Sequence, residues 1–466
     1  MDSGATGEVS RGREIARRSL LCAGGLGLCG LTLPELLRGE ALAAASGKPR
    51  PATFGKAKSC LLVFLSGGAS HLDTFDMKPE APAEIRGEFK SISTNVPGMR
   101  VCEHLPRVAR EFDKFTVVRS VTHRDGNHSS AVYEMVTGHP YPRARNLSAN
   151  LSREDHPHIG SSLLMVEGRD SAVPRFVTLP DYIAVAGPVR AGQHAGFLGS
   201  RVDPMVVRGN PNDDDFTPVD LALVPNVVPG RLAARRGLLA ASNARGRLAG
   251  LRSSEILRQY ESSHRKAFDL LASGRTRRAF NIGEEPEALR RRYGRNLFGQ
   301  SVLLGRRLVE AGVRLVHVNW IRIREAGWDT HTDNFNSLKD QLLPPTDLAF
   351  SALMEDMSQS GLLDDTLVIL LDEFGRSPKI TQKNAGREHW PHANSIIMAG
   401  AGLPGGCYYG ATDRHGGYPI DHPITPAELS ATIFHALGID HHAEVLTQLT
   451  RPWQICDAEP VLDLWG

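Results

Sequence analysis

Two short apolar runs constrain this chain more than any other feature: Cys60-Leu61-Leu62-Val63-Phe64-Leu65 and Leu367-Val368-Ile369-Leu370-Leu371. Neither run alternates with polar residues. A strand without alternation is buried on both faces, as in the centre of a parallel sheet covered by helices. Each run ends in residues that carry chemistry. Ser66-Gly67-Gly68 follows the first, and Asp372-Glu373-Phe374-Gly375-Arg376 follows the second. Open α/β sheets gather ligand-binding groups just beyond the carboxyl ends of their strands. The two runs therefore predict an α/β fold with its polar groups collected along one edge.

The rest of the chain keeps this rhythm. Phe115–Val121, Arg175–Leu179, Arg314–Trp320 and Ser395–Ala399 read as further strands. Ser129–Thr137, Pro344–Ser360 and Pro426–Leu437 read as helices, and Gly138 and Gly438 stop the first and last. Strands alternating with helices predict a doubly wound, mostly parallel sheet. From about residue 221 to 309 the composition turns to Arg, Ala, Leu and Glu. Apolar residues there fall at helical spacing: Ile256, Tyr260, Ala267 and Leu271, then Leu289, Tyr293, Leu297 and Leu304. That segment reads as a helical insertion.

Charge and cysteine content narrow the function. A net charge of +2 over 466 residues implies no dense basic face, so nucleic acid is not an expected partner. No C-x-x-C pair is present, which removes a zinc knuckle or a redox dithiol. Arg17-Arg18-Ser19-Leu20-Leu21 opens a small-residue apolar stretch, and Ala41-Leu42-Ala43 offers a small-x-small cleavage site. This pattern reads as a twin-arginine export signal over residues 1–45, with the periplasm or cell envelope as destination. A linker over 46–59 and one domain over 60–466 follow. Pro34, Glu35 and Arg38 interrupt the stretch, and no transmembrane span is expected in the mature chain.

Four clusters hold the candidate site residues. His71 and Asp73 follow the two glycines after the first strand, as possible metal ligands or as a polar strand-to-helix turn. His128 and Ser129 stand at a helix start, where Ser129 serves either as an N-cap or beside a substrate oxyanion. Asp329 and His331 share one side of an extended turn, and Asp333 is placed to cap the next helix. Asp372 and Glu373 end the most apolar strand, with His389 and His392 nearby. Buried carboxylates need a compensating charge. A divalent cation held with the imidazoles supplies one; Arg376 or Arg387 is the other source.

The segments SGGASHLDTFDMKP, HSSAVYEMVTG, GWDTHTDNF, DEFGRSP and GREHWPH occur in this order behind the twin-arginine leader. Together they resemble the family called domain of unknown function 1501, from about Lys58 onward. The resemblance implies the alkaline phosphatase and sulfatase superfamily. It implies a doubly wound α/β sheet, divalent metal ions (Zn, Mn, Ca or Mg), and hydrolysis of a phosphate or sulfate ester. A small ester or a sulfated glycan is the implied substrate. Asp329 and His331 resemble the ligands of one metal. Asp372 and Glu373 stand where an Asp-His pair holds the other. His389, or else His392, resembles a late histidine ligand. Ser66 replaces an acidic ligand at the first strand's end, for which His71 or Asp73 would substitute. His128 falls near the nucleophile position with Ser129 beside it, and Arg376 or Arg387 would clamp the anion. No Cys-x-Pro-x-Arg is present, so formylglycine chemistry is not implied. The alternative is a catalytically inactive metal- or glycan-binding envelope protein of the same fold.

Overall fold

The computed structural model describes residues 50–142, 151–168, 171, 173–184, 189–218, 230, 231, 234, 235, 237–239, 241, 273–321 and 327–466. The expected export signal lies outside them, as do Ile256, Tyr260, Ala267 and Leu271 of the expected helical insertion. Thr53–Gly466 form one unit.

Eight strands build its central sheet: β1 (Ser59–Phe64), β2 (Phe115–Val121), β3 (Phe176–Leu179), β4 (Met205–Val206), β5 (Leu315–Asn319), β6 (Thr366–Leu371), β7 (Asn394–Ala399) and β8 (Cys407–Tyr409). Their order is β8-β2-β7-β6-β1-β5-β3-β4. The two apolar runs lie side by side at its centre, with Leu62 paired in parallel to Ile369. On the other side of β1, Leu62 pairs with His317 of β5, again in parallel. Only β7 runs against its neighbours, β6 and β2. The fold is thus α/β with a mostly parallel sheet, as the apolar runs predict.

Alternation within the runs sorts side chains between two helical layers. Leu61, Val63, Val368 and Leu370 pack on one face with α5 (Leu297–Glu310) and α6 (Leu343–Gln359). Cys60, Leu62, Leu367 and Ile369 pack on the other face with α1 (His128–Thr137), α2 (Ile159–Glu167) and α7 (Pro426–Ala436). Two shorter helices, α3 (Gly274–Phe280) and α4 (Glu287–Tyr293), precede α5 and place Leu289 and Tyr293 against its layer. No helix of the described residues is long and apolar enough to cross a membrane.

The strand directions set the position of the polar clusters. The carboxyl ends of β1, β2, β5 and β6 point to one edge, and the amino end of the reversed β7 joins them there. Segments 66–73, 122–128, 328–331, 372–376 and 389–394 therefore leave or enter the sheet on the same side.

Candidate metal centre

Asp329 is the hub of this edge. Its Oδ2 lies 3.1 Å from His128 Nε2. Its Oδ1 lies 3.1 Å from both His389 Nε2 and His331 Nε2, and 2.7 Å from Arg376 Nη2. The two imidazoles His331 and His389 face each other through their Nε2 atoms at 2.9 Å. Donor atoms of His128, Asp329 and His389 all lie within 4.8 Å of one another.

Gly67 makes this approach possible. A Cβ at that position would sit 2.5 Å from the Asp329 backbone nitrogen. The backbone there also has φ +122°, which L side chains rarely adopt. A short antiparallel ribbon brings His389 in, since its register pairs His389 with Arg376 and Trp390 with Gly375.

Each imidazole is oriented from behind. His128 Nδ1 donates to Glu373 Oε1 at 2.7 Å. His389 Nδ1 donates to the Gly126 carbonyl at 2.7 Å. His331 Nδ1 donates to Glu388 Oε2 at 2.6 Å. These partners are acceptors only, so each Nδ1 must carry the proton. In the neutral rings the three Nε2 lone pairs then converge on the Asp329 carboxylate. Arg376 neutralises part of the Asp329 charge, and a proton or a metal among the Nε2 atoms relieves the rest of that convergence. His128 Nε2 is buried and makes no hydrogen bond among the described residues. The two nitrogens of His128 and His389 and the Asp329 carboxylate suit zinc or a similar borderline divalent ion and leave a fourth position open.

Electrostatics agree with the geometry. Burial would lower the His128 pKa, but the Asp329 and Glu373 carboxylates outweigh it and raise it to about 9. Burial would raise the Asp329 pKa, but His128, His389 and the Arg376 charge hold it well below the usual carboxylate range.

The other expected site residues have different surroundings. Glu373 stands behind His128, where it also accepts the Gly67 N–H at 2.9 Å. Asp372 is buried and accepts from the Ala69 N–H at 2.7 Å and from the Asn394 amide. Burial drives its pKa well above the carboxylate range; the Asn394 bond opposes this and the Glu373 charge adds to it. Asp73 is fully buried against Arg387, whose Nε and Nη2 reach its two oxygens at 2.7 and 2.9 Å. Ser70 and Asn334 also donate to Asp73, at 2.6 and 2.9 Å. His71 Nε2 pairs with the Gly416 carbonyl at 2.8 Å. His392 stacks on Tyr418, with ring centres 5.4 Å apart. Asp372, Asp73, His71 and His392 thus stand outside the His128, Asp329 and His389 group. Ser66 Oγ donates to the Trp320 carbonyl.

Ser129 is not the N-cap expected of it, because Asn127 holds that position and Ser129 lies in the first turn of α1. Its N–H donates to Asn127 Oδ1 at 2.9 Å, which caps α1. Its Oγ accepts from Arg190 Nη1 at 2.8 Å. Arg190 was not legible as a site residue, because it sits in a loop without a flanking motif. Burial lowers the Arg190 pKa, and the Glu373 charge opposes this.

A family model described as "Protein of unknown function (DUF1501)" matches residues 57–464. No curated protein matches the chain in sequence. Among solved structures the chain is similar to Ps i-CgsB, at 11% identity and a TM-score of 0.40, over 87% of this chain and 76% of that one. It is also similar to the PsFucS1 sulfatase from Pseudoalteromonas sp., at 10% identity and a TM-score of 0.35, over 86% and 70% of the two chains. A third is a protein in the alkaline phosphatase superfamily from Vibrio parahaemolyticus, at 10% identity and a TM-score of 0.34, over 84% and 69%.

Proposed function

This chain belongs to the DUF1501 family of proteins of unknown function, and from that premise we propose that it is an exported, metal-dependent hydrolase of phosphate or sulfate esters. One observation carries the reading: the Nε2 atoms of His128 and His389 and the carboxylate of Asp329 meet within 4.8 Å at the carboxyl edge of the sheet. His331 flanks the set on the exposed side, 2.9 Å from His389, and the three ligands leave a position for water. A divalent ion bound there supplies Lewis acidity toward an ester oxygen and a nucleophilic water at neutral pH.

The protein's own groups prepare the site for an anion. Arg190 and Ser129 stand together at the amino end of α1, where a cation and a hydroxyl meet the positive end of a helix. Arg376 is fully buried and steadies Asp329, with further bonds to the Trp328 and Gly68 carbonyls at 3.0 and 2.8 Å. Arg376 therefore positions Asp329, and Arg190 is the better placed of the two to face substrate. The paired arginines Arg17-Arg18 support export.

The test is elemental analysis of the purified protein coupled to a panel of aryl phosphate and sulfate esters. Wild type is expected to hold metal and to turn over at least one ester. Asp329→Asn and His389→Ala are each expected to lose the metal equivalent held by this cluster together with the turnover. Unchanged metal content in both variants would remove the assignment.

A second reading, metal binding without turnover, is favoured by Ser66. The first central strand ends in a serine engaged with the Trp320 carbonyl and brings no acidic ligand. Metal-loaded protein inert toward the whole ester panel would select this reading.

A further inference from the structure

A second group of metal-type ligands lies far along the chain, at the turn after α7. That helix ends at Ala436, and Gly438 adopts φ +75°, which turns the chain out of the helix. The next residues form a tight turn, with Ala443 N–H donating to the Asp440 carbonyl at 2.9 Å. His442 N–H is tied to Asp440 Oδ1 at 3.0 Å. The chain then enters a hairpin, Glu444–Leu446 against Pro452–Gln454, in which Glu444 pairs with Gln454. Ile455 N–H continues the pairing onto the Ala443 carbonyl at 3.1 Å. This register returns residues 456–459 to the flank of the turn.

Three side chains meet there. His441 Nε2 lies 3.2 Å from Glu459 Oε2, and His442 Nε2 lies 3.5 Å from Glu459 Oε1. The two imidazole rings are 4.2 Å apart. One donor atom from each residue falls within 4.8 Å of the other two. A tetrahedral ion with metal–donor distances of about 2.0–2.2 Å sets its donors roughly 3.4 Å apart. Each imidazole approaches a different Glu459 oxygen, at 3.2 and 3.5 Å, which is near that spacing and places the carboxylate to share one ion with both rings.

As a plain ion pair this arrangement has little to hold it. The Glu459 side chain is 75% exposed and that of His442 is 48% exposed. Exposed pairs of this kind contribute only about 0–1 kcal/mol. A cation shared by all three groups holds them together in a way that pairwise contacts in water do not.

We propose that His441, His442 and Glu459 form a second, structural site for a borderline divalent cation of the zinc class. Two imidazoles and one carboxylate are the donor set such ions prefer, and water fills the remaining position. The site staples the C-terminal segment to the turn after α7. That segment carries Cys456 and Leu464 into the core beside Ile433 and Phe434. The proposal is independent of the ester-hydrolase reading, because no residue is shared between the two clusters.

The test uses the full chain, stripped with chelator and titrated with zinc chloride. Bound zinc is read by calorimetry and elemental analysis, and thermal melting is read alongside. Wild type is expected to bind one more zinc than His442→Ala, and zinc is expected to raise its melting temperature more than that of the variant. Glu459→Gln keeps the side-chain shape and is expected to weaken the same zinc at least tenfold. Asp329→Asn is expected to lose a different equivalent and to keep this one. Unchanged stoichiometry and affinity in both His442→Ala and Glu459→Gln would overturn the second site, as would wild-type protein that binds no zinc. A zinc lost in His442→Ala but not in Asp329→Asn would sustain this site while removing the first.

Discussion

His128 and Glu373 form a 2.7 Å hydrogen bond that decides which nitrogen of the imidazole faces Asp329. The bond fixes the proton on Nδ1 and leaves Nε2 turned to the hub of the cluster. Partners behind a metal-binding histidine set both its tautomer and its basicity. Glu373→Gln removes the charge and places an amide beside the Gly67 N–H, which now donates to Glu373. Zinc affinity is expected to fall by about 10–100-fold. Competition against a chromophoric chelator measures it, and an unchanged affinity would show that Glu373 does not orient the ring.

Gly67 and Gly98 separate steric cost from backbone cost. Both have positive φ, at +122° and +83°. A Cβ at Gly67 meets Asp329 and Trp328 backbone atoms at 2.5–2.9 Å, whereas one at Gly98 meets nothing within 4 Å. Gly67→Ala is expected to destabilise by about 1–3 kcal/mol more than Gly98→Ala, as overpacking against rigid backbone does. It is also expected to reduce zinc stoichiometry, because Asp329 is displaced. Urea unfolding and elemental analysis of both variants decide the matter. Equal losses would mean that the 66–68 turn does not constrain the Asp329 loop.

Asp73 and Arg387 form an ion pair with no exposure on either side. Removing one partner leaves the other buried and uncompensated, at a cost of about 3–5 kcal/mol. Arg387→Met is expected to show that loss in chemical denaturation. Its folded fraction is expected to keep the metal of the wild type, since Arg387 reaches Asp73, Ile85 and Ser377 and not the cluster. Loss of metal without loss of stability would return Arg387 to the site.

Glu134 on α1 gives the stability a pH dependence. Burial, helped by the Asp125 charge and opposed by a backbone bond at Tyr141, raises its pKa from 4.5 to about 7. The folded state thus binds this proton more tightly than the unfolded state. The resulting stabilisation is full below pH 4.5 and is lost as pH rises through about 7. Glu134→Gln removes this dependence. Its stability is expected to exceed that of wild type above pH 7 by about 1–2 kcal/mol, after allowance for partial exposure. Urea unfolding at pH 5 and pH 8 measures the difference. A gap that does not widen with pH would rule out Glu134 as its source.

The fold was legible because its central strands are apolar throughout. The expected Cys60–Leu65 and Leu367–Leu371 fall within one residue of the observed Ser59–Phe64 and Thr366–Leu371. Strand direction then explains why the polar clusters share an edge. Pairing between side chains was not legible. Asp73 and Arg387 are 314 residues apart, and nothing local marks them as partners. Spacing left His389 and His392 as alternatives. The ribbon register turns His389 to Asp329, while His392 stacks on Tyr418. Glu373 looked like a direct ligand from its place after a strand, yet its oxygens accept from His128 and Gly67. Asn394 carried no signal at all, although it is what meets Asp372.

The reversed strand β7 has a consequence for the order of events in the life of the molecule. Donors at positions 128, 329 and 389 meet only after the sheet has closed through Asn394–Ala399. A cation held there would tie α1 to the 375–376 and 389–390 ribbon, so its binding would report that the two have come together.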